Sequence, residues 1–394
     1  MPATPTFPVV ELVTDEIFPG PWVYRRHVGP VVAVDDGDLV EVQDASGRFC
    51  GHALYNGGSN ITLRWLHRGR KSELRRVTDF LETKLRRADR LRRKALRLEA
   101  STNAYRICHA EGDGLSGLIV DRLGDTLVVE HHALGFWRLR EEIERALARI
   151  YPDFRILHQV PRVARKIEDF DPPEERVDDD RPLELEENGI RWSLPVGSGH
   201  KTGWFCDQRD NRLRVAELCR GRKVLDLCTN LGGFALQAAK AGARSVEAVD
   251  LDEKVLWLAE EAGHRNGLDV EFVHADLFDR LRAAEDRREE WDVVILDPHK
   301  VVASKQALDR GKRTYMDMNS LAMGRVRAGG LFATFSCSGA VERSMFIGWV
   351  FAAARRAERS VRLLASLEAA PDHPQDPDHP RSTYLKGAIL SIEA

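Results

Sequence analysis

The sequence has no run of about 18 apolar residues, so no membrane-spanning helix is expected. Met1 to Gly20 carries Glu11, Asp15 and Glu16 in place of a basic start and an apolar stretch, which is unlike a secretory signal. Cysteine is sparse. The six (Cys50, Cys108, Cys206, Cys219, Cys228, Cys337) show no Cys-x-x-Cys spacing. That leaves no zinc motif, no metal site and no disulfide framework, and it points to a reduced, cytoplasmic setting. Charge of one sign is not in surplus: 59 Lys and Arg face 62 Asp and Glu, a net charge of −3. A histone-like or tail-driven nucleic-acid binder is excluded, but a basic patch on one region is not. An apolar fraction of 43% excludes disorder of the chain as a whole. What is present is 394 residues, enough for two or three domains at about 100–200 residues each.

The near-neutral total hides two opposed runs. Arg68 to Arg97 holds 13 Lys or Arg against four acids, with Leu74, Phe80, Leu81, Leu85, Leu91, Leu96 and Leu98 at helical spacing. It is predicted as an amphipathic helix with a basic outer face, either simply solvated or a contact for phosphates. Glu168 to Asn188 holds 11 acids with Pro172, Pro173 and Pro182, and is predicted as an exposed linker.

Three regions follow. The first has short apolar stretches at Val31–Val34, Leu39–Val42 and Ile61–Leu66 separated by turn residues, the pattern of a small β-barrel. The second begins with the basic helix and continues with strands near Tyr105–Ala110, Gly117–Asp121 and Thr126–Glu130. A helix (Trp137–Ile150) and a strand (Arg155–Gln159) complete an α+β region. From Ile190 onward strands and helices alternate, the sign of a parallel sheet covered by helices, an α/β doubly wound, Rossmann-like arrangement.

In that last region the strand Lys223–Leu227 runs into Cys228-Thr-Asn-Leu-Gly-Gly-Phe234 and a helix from Ala235, with Gly242 as its C-cap. A strand from Ser245 to Val249 follows, with Asp250 at its end. A glycine turn lets a ligand approach the backbone, and an acid about 20 residues on can bind ribose hydroxyls. NAD would require Gly-x-Gly-x-x-Gly to seat its pyrophosphate, whereas this turn has only Gly232-Gly233. S-adenosylmethionine has no phosphate and tolerates the looser turn. Asp276 after the strand Glu271–His274, and Asp297 after the strand Trp291–Leu296, add two acids at successive strand ends. Ligands bind at those carboxyl ends.

The strand Leu331–Phe335 ends in Ser336-Cys337-Ser338-Gly339. A buried structural thiol is the usual fate of a lone cysteine, but this one ends a parallel strand among small residues. A thiolate is what a C5-directed pyrimidine methylation needs: addition at carbon 6 makes carbon 5 nucleophilic. A carboxylate at the base edge, with Asp297 as candidate, would stabilise the adduct.

On these residues the chain resembles the bacterial 23S ribosomal RNA cytosine-C5 methyltransferase family. Pro21-Trp22-Val23, Gly37 to Val42 and Tyr55-Asn56 through Arg64 are similar to its PUA domain. Thr102 to Arg106 and Glu111 to Arg122 are similar to its middle domain. Gly199-His-Lys-Thr-Gly-Trp-Phe-Cys-Asp-Gln-Arg209, Thr334-Phe-Ser-Cys-Ser-Gly339, Asp372-His373-Pro374 and Tyr384-Leu-Lys-Gly387 match its methyltransferase part. The resemblance implies a PUA-like domain over 1–80, an α+β domain over 81–189 and a Rossmann-like methyltransferase domain over 190–394. It implies Cys337 as nucleophile and Asp297 as base-orienting acid. For S-adenosylmethionine it implies Lys201, Thr202, Gly203, Phe205, Asp207, Gln208, Arg209, Asp226, Cys228, Asn230, Gly232, Gly233, Phe234, Asp250, Leu251, Asp276, Leu277 and Asp297. His299, Lys300 and Lys386 would face the substrate. The partner would be 23S ribosomal RNA or a large-subunit assembly intermediate, and relatives suggest a homodimer.

Two departures stand out. Asp297-Pro298-His299-Lys300 replaces the family's Asp-Pro-Pro-Lys, and the loop Leu227–Phe234 reads as one residue longer. His299 could take over packing, add a hydrogen bond to the base, or mark changed specificity. The proton acceptor at carbon 5 is unassigned; Asp372 and His373 are candidates, with a structural Asp–His contact as the other reading. Methylation at a guanine nitrogen or uracil carbon 5, or an inactive RNA-binding assembly protein, are the alternatives.

Overall fold

The computed structural model describes residues 7–16, 18–173, 181–196, 203–379 and 382–393, the side chain of Ser72 excepted. They divide into two compact units. One comprises the chain up to Leu183 with Pro195–Trp204 and Pro371–Ser382. The other comprises Glu184–Leu194, Phe205–Ala370 and the segment from Thr383 onward.

The first unit starts with five strands: β1 (Val9–Glu11), β2 (Trp22–Tyr24), β3 (Leu39–Gln43), β4 (Phe49–Tyr55) and β5 (Ile61–His67), in sheet order β1-β3-β4-β5-β2. Val10, Val23, Val40, Val42, Ala53 and Leu63 fill its interior. The strand expected at Val31–Val34 does not form. Pro30 lacks an N–H for a ladder, and Ala33 sits at φ 58°, outside the extended region.

Helix α1 (Val77–Arg90) buries Leu81, Leu85 and Ala88 and runs into a π-turn over Leu91–Ala95. The expected basic outer face is interrupted there, because Arg92 is fully buried. Its guanidinium bonds both Asp113 oxygens (2.6 and 2.8 Å) and the carbonyls of Arg106 and Asp372. A second sheet, β6-β7-β8-β9, is built from β6 (Ala104–His109), β7 (Leu118–Leu123), β8 (Thr126–His131) and β9 (Arg155–Gln159). Helices α2 (Leu134–Arg138) and α3 (Arg140–Ile150) divide the single helix expected at Trp137–Ile150. One apolar cluster runs from Leu39, Leu54 and Leu66 of the five-stranded sheet through α1 to Tyr105, Val120 and Leu147.

The acidic run is not a continuous exposed linker. Glu168 ends helix α4 (Arg162–Glu168) at 1% exposure. It accepts from Arg64 (2.8 Å), Ser59, Asn56 and the Leu134 N–H. Further on, β10 (Leu183–Glu187) pairs in a hairpin with β11 (Ile190–Leu194). Leu183, Leu185 and Glu187 are buried while Glu184 and Glu186 are exposed, so the period-two pattern prevails over the charge.

The second unit carries a seven-stranded sheet in the order β14-β13-β12-β15-β16-β18-β17. Its elements are α5 (Arg209–Ala216), β12 (Lys223–Leu227), α6 (Gly233–Lys240), β13 (Ser245–Asp250), α7 (Glu253–Asn266), β14 (Glu271–His274) and α8 (Leu277–Asp286). They continue with β15 (Trp291–Leu296), α9 (Leu308–Gly324), β16 (Val326–Ser336), α10 (Arg343–Arg356), β17 (Val361–Leu367) and β18 (Lys386–Ile392). β12 to β16 are parallel, and the central ones read as apolar runs because both faces are covered. β18 is antiparallel to β16 and β17, so the sheet expected to be parallel is mixed. β12 lies between β13 and β15. The chain reverses its winding direction there, which opens a crevice at the strand ends.

Candidate functional site

Four carboxylates end the strands at this crevice. Asp226, near the end of β12, is fully buried. Its Oδ2 accepts the Thr229 hydroxyl at 2.6 Å and the Ala235 N–H at 3.1 Å, while Oδ1 has no partner among the described residues. Burial pushes this carboxyl up to about 7. Thr229 and Ala235 pull it down, and the charges of Asp297 and Asp250 raise it further. Asp250 accepts from the N–H groups of Asn230 (2.8 Å) and Asp252 (3.0 Å). Asp276 caps α8 through the Phe278 N–H at 2.7 Å. Among the described residues no Lys or Arg pairs with Asp226, Asp250 or Asp276. Among the described residues these three acids therefore leave their side of the crevice negative, which suits a cationic ligand and opposes a pyrophosphate.

The loop between β12 and α6 is tightly bent. Cys228 and Asn230 adopt φ of 61° and 51°, and Gly232 adopts 74°. Such values in two non-glycine residues mark local strain. A side chain at Gly233 would meet Arg212 Cδ at 2.7 Å, so glycine is required there. Arg212 is itself buried and bonds both oxygens of Glu187 in β10 (2.7 and 2.6 Å), and it donates to the Phe205 carbonyl. Burial, then the surrounding acids, push the Cys228 thiol up and keep it neutral.

Asp297 is held in turn. Asn211 Nδ2 donates to Gln208 Oε1 at 2.6 Å, and Gln208 Nε2 donates to Asp297 Oδ2 at 3.0 Å. A fixed amide orients the carboxylate. Asp207 accepts the Tyr384 hydroxyl at 2.6 Å, and its carbonyl accepts the Ala370 N–H. Arg209 is buried and bonds Asp210.

Cys337 is half-buried where β16 ends, and the residues on each side of it are clamped. The Tyr315 hydroxyl, from α9, lies 2.8 Å from Ser336 Oγ and 3.2 Å from Ser338 Oγ. Burial pushes that phenol up to about 12, so it stays protonated. Ser338 Oγ accepts the Val302 N–H, and the Ser338 carbonyl accepts Lys386 Nζ at 2.7 Å.

Other expected residues are placed differently. Leu277 lies in the apolar core and Phe234 packs on Phe335, whereas Leu251 is 66% exposed beside Asp250. His299 and Lys300 are exposed, so His299 takes no packing role. Lys386, expected to face substrate, is 1% exposed and turned inward. Gly203 belongs to the first unit. Lys201 and Thr202 lie outside the described residues. Asp372 and His373 belong to the first unit, where Asp372 Oδ2 accepts the Arg106 N–H (2.9 Å) and Oδ1 meets His373 Nδ1 (3.3 Å). That is the structural Asp–His contact. Sequence reading passed over Tyr315 and Asn211, single residues inside helices that carry no motif.

Residues 177–387 match the family model for S-adenosylmethionine-dependent methyltransferases, and residues 20–68 match a PUA-like domain. A ribosomal RNA large subunit methyltransferase I of Aeromonas salmonicida is 35% identical over 378 residues, 94% of each chain. The Vibrio cholerae protein of that name is 33% identical over 385 residues, 94% of this chain and 95% of its own. The chain belongs to this methyltransferase family. Among solved structures, an S-adenosylmethionine-dependent methyltransferase from Streptococcus mutans superposes with a TM-score of 0.79 at 20% identity, covering 97% of this chain and all of its own. A methyltransferase complexed with SAH gives 0.77 at 19% identity, covering 98% and 100%. Those two carry the fold.

The methyltransferase's crevice fits its cofactor. S-adenosylmethionine carries a sulfonium and an amino group, both positive. The buried Oδ1 of Asp226, and Asp250 and Asp276, which no cation pairs with among the described residues, suit that charge. The glycine turn leaves room for it, and no phosphate has to be seated.

Proposed function

We propose that this methyltransferase forms 5-methylcytosine in large-subunit ribosomal RNA, with Cys337 as nucleophile. The observation that carries the reading is the position of Cys337. It is half-buried at a parallel strand end, on a turn fixed by Tyr315, beside the strand that ends in the oriented Asp297. Methylation at an exocyclic amine or ring nitrogen requires no thiolate, whereas C5 methylation does.

Cys337 Sγ adds to carbon 6 of the base, and the carbon 5–carbon 6 double bond shifts its electrons toward carbon 5. When bound, S-adenosylmethionine supplies the methyl group taken up there. The carbon 5 proton then passes to water, its bonding electrons re-form the carbon 5–carbon 6 double bond, and the carbon 6–sulfur bond breaks to release the Cys337 thiolate. Asp297, pinned by Gln208, holds the N3 and amino edge of the base through the adduct. Asp250 binds the ribose hydroxyls of the cofactor, Asp226 and the Cys228–Phe234 loop its charged end, and Asp276 its adenine amino group. Residues 1–80, PUA-like, and the basic face of α1 dock the RNA by shape and phosphate contacts. A paired target base would be flipped out of its helix.

Tritiated methyl transfer to total ribosomal RNA, followed by nucleoside analysis, tests the reading. 5-Methylcytidine is the expected product. Cys337→Ala should abolish it while leaving cofactor affinity unchanged, and another methylated nucleoside, or turnover by Cys337→Ala, overturns the proposal.

A further inference from the structure

Lys386 opens β18 opposite Ser336 in the β16–β18 ladder, and its side chain runs past the Cys337 turn into the interior. Nζ donates to two neutral acceptors, the carbonyls of Ser338 and Tyr384, each at 2.7 Å. An ammonium has three donors, so one remains. Among the described residues no carboxylate pairs with it. A buried cation without a counter-charge is costly, and a group is kept in that state only where something offsets it.

We propose that Lys386 is a positioning residue that holds Cys337 as a thiolate, the ionised sulfur being the counter-charge its buried ammonium lacks. The proposal rests on the reading of Cys337 as nucleophile. On ionisation the Cys337 S–H proton leaves to water and Lys386 keeps its three protons, so the two groups become an ion pair at the strand end. The other charged groups around them agree in sign. Arg343, at the start of α10, and Lys300, on the loop after β15, add positive potential, although Arg343 is engaged by Glu368. Tyr315, from α9, stays neutral. Asp297, at the end of the neighbouring β15, brings a negative charge to the same strand ends, which makes a nearby cation more necessary. Burial pushes the Lys386 ammonium down to about 8, and Cys337 pulls it back up. The support therefore lasts through neutral pH and fades as the lysine titrates.

The test is the pH profile of Cys337 alkylation by iodoacetamide in the full chain, read by peptide mass spectrometry. Wild type should titrate at least about 1 unit below the ordinary thiol value of ~8.5. Lys386→Met, close in volume, should raise the midpoint by about 1 unit and slow alkylation about ten-fold at neutral pH, while Lys386→Arg keeps most of the effect. A wild-type midpoint at or above ~8.5, or superimposable profiles for wild type and Lys386→Met, overturns the proposal. The wild-type profile decides it even where the Met variant does not fold. Because alkylation involves neither RNA nor methyl transfer, failure of the 5-methylcytosine reading leaves this result standing on its own.

Discussion

Asp226 shows what one buried carboxyl does to the molecule. In the folded chain it binds its proton up to about pH 7, against an ordinary value of 3.8. The unfolded chain gives up that proton first, so this group's contribution to stability declines as pH rises from 3.8 toward 7. A shift of that size is worth on the order of 4 kcal/mol. Asp226→Asn stands in for the protonated form. In urea unfolding of the ligand-free chain, wild type should lose stability relative to Asp226→Asn between about pH 4 and pH 7 and run parallel to it above. Parallel stabilities across that window would refute the assignment. Cofactor binding should respond in the opposite sense, because the ionised carboxylate is the form that a cation favours. Asp250, Asp276 and Asp297 were legible in the sequence as acids at strand ends, whereas Asp226 entered only through the family resemblance. Tyr315, Asn211 and the inward turn of Lys386 were not, because a hydroxyl or amide partner far away in sequence leaves no periodic trace.

The strand β10 illustrates how an element is misread. Eleven acids and three prolines over Glu168–Asn188 outweighed the Leu183-Glu-Leu-Glu-Glu187 alternation, which is itself a strand signal. The deciding residue is Glu187, fully buried because Arg212 neutralises it from α5. Glu187→Ala should leave Arg212 buried without its partner and cost about 3–5 kcal/mol in urea unfolding. It should also weaken cofactor binding, since Arg212 holds the Phe205 carbonyl and packs on Gly233. A loss below about 1 kcal/mol would mean that the pair contributes little to the element. The long central strands were readable from their apolar runs. β17 and β18 were not, because the direction of a returning strand depends on pairing that the chain reaches only after a long excursion.

Over the whole molecule, a net charge of −3 says little, because opposite runs cancel. What counts is which cations remain available. Arg92 is consumed by Asp113, and Arg86, Arg93 and Lys71 bond acids. Among the described residues Arg87, Arg90, Lys94 and Arg97 are exposed and have no carboxylate partner. The double variant Arg87→Ala, Arg90→Ala should therefore fold normally and bind ribosomal RNA more weakly. Its log–log salt slope should be shallower by about 1 for each phosphate that is no longer neutralised. An unchanged slope would remove α1 from the RNA-docking surface. Arg92→Ala should instead destabilise the first unit by about 3–5 kcal/mol, since it strands Asp113.

The sequence by itself determined the class of the second unit, the acids at or near its strand ends and the strand that carries Cys337. Local periodicity and turn chemistry encode those directly, and the family's motifs lie on them. Only the tertiary structure decided which charges are usable. It buried Arg92, Glu168, Glu187 and Lys386, left one Asp226 oxygen without a partner among the described residues, and set Lys386 against the turn that bears Cys337. Burial changes what a charge costs and which proton it keeps, and burial is settled by packing between residues that lie tens to hundreds of positions apart.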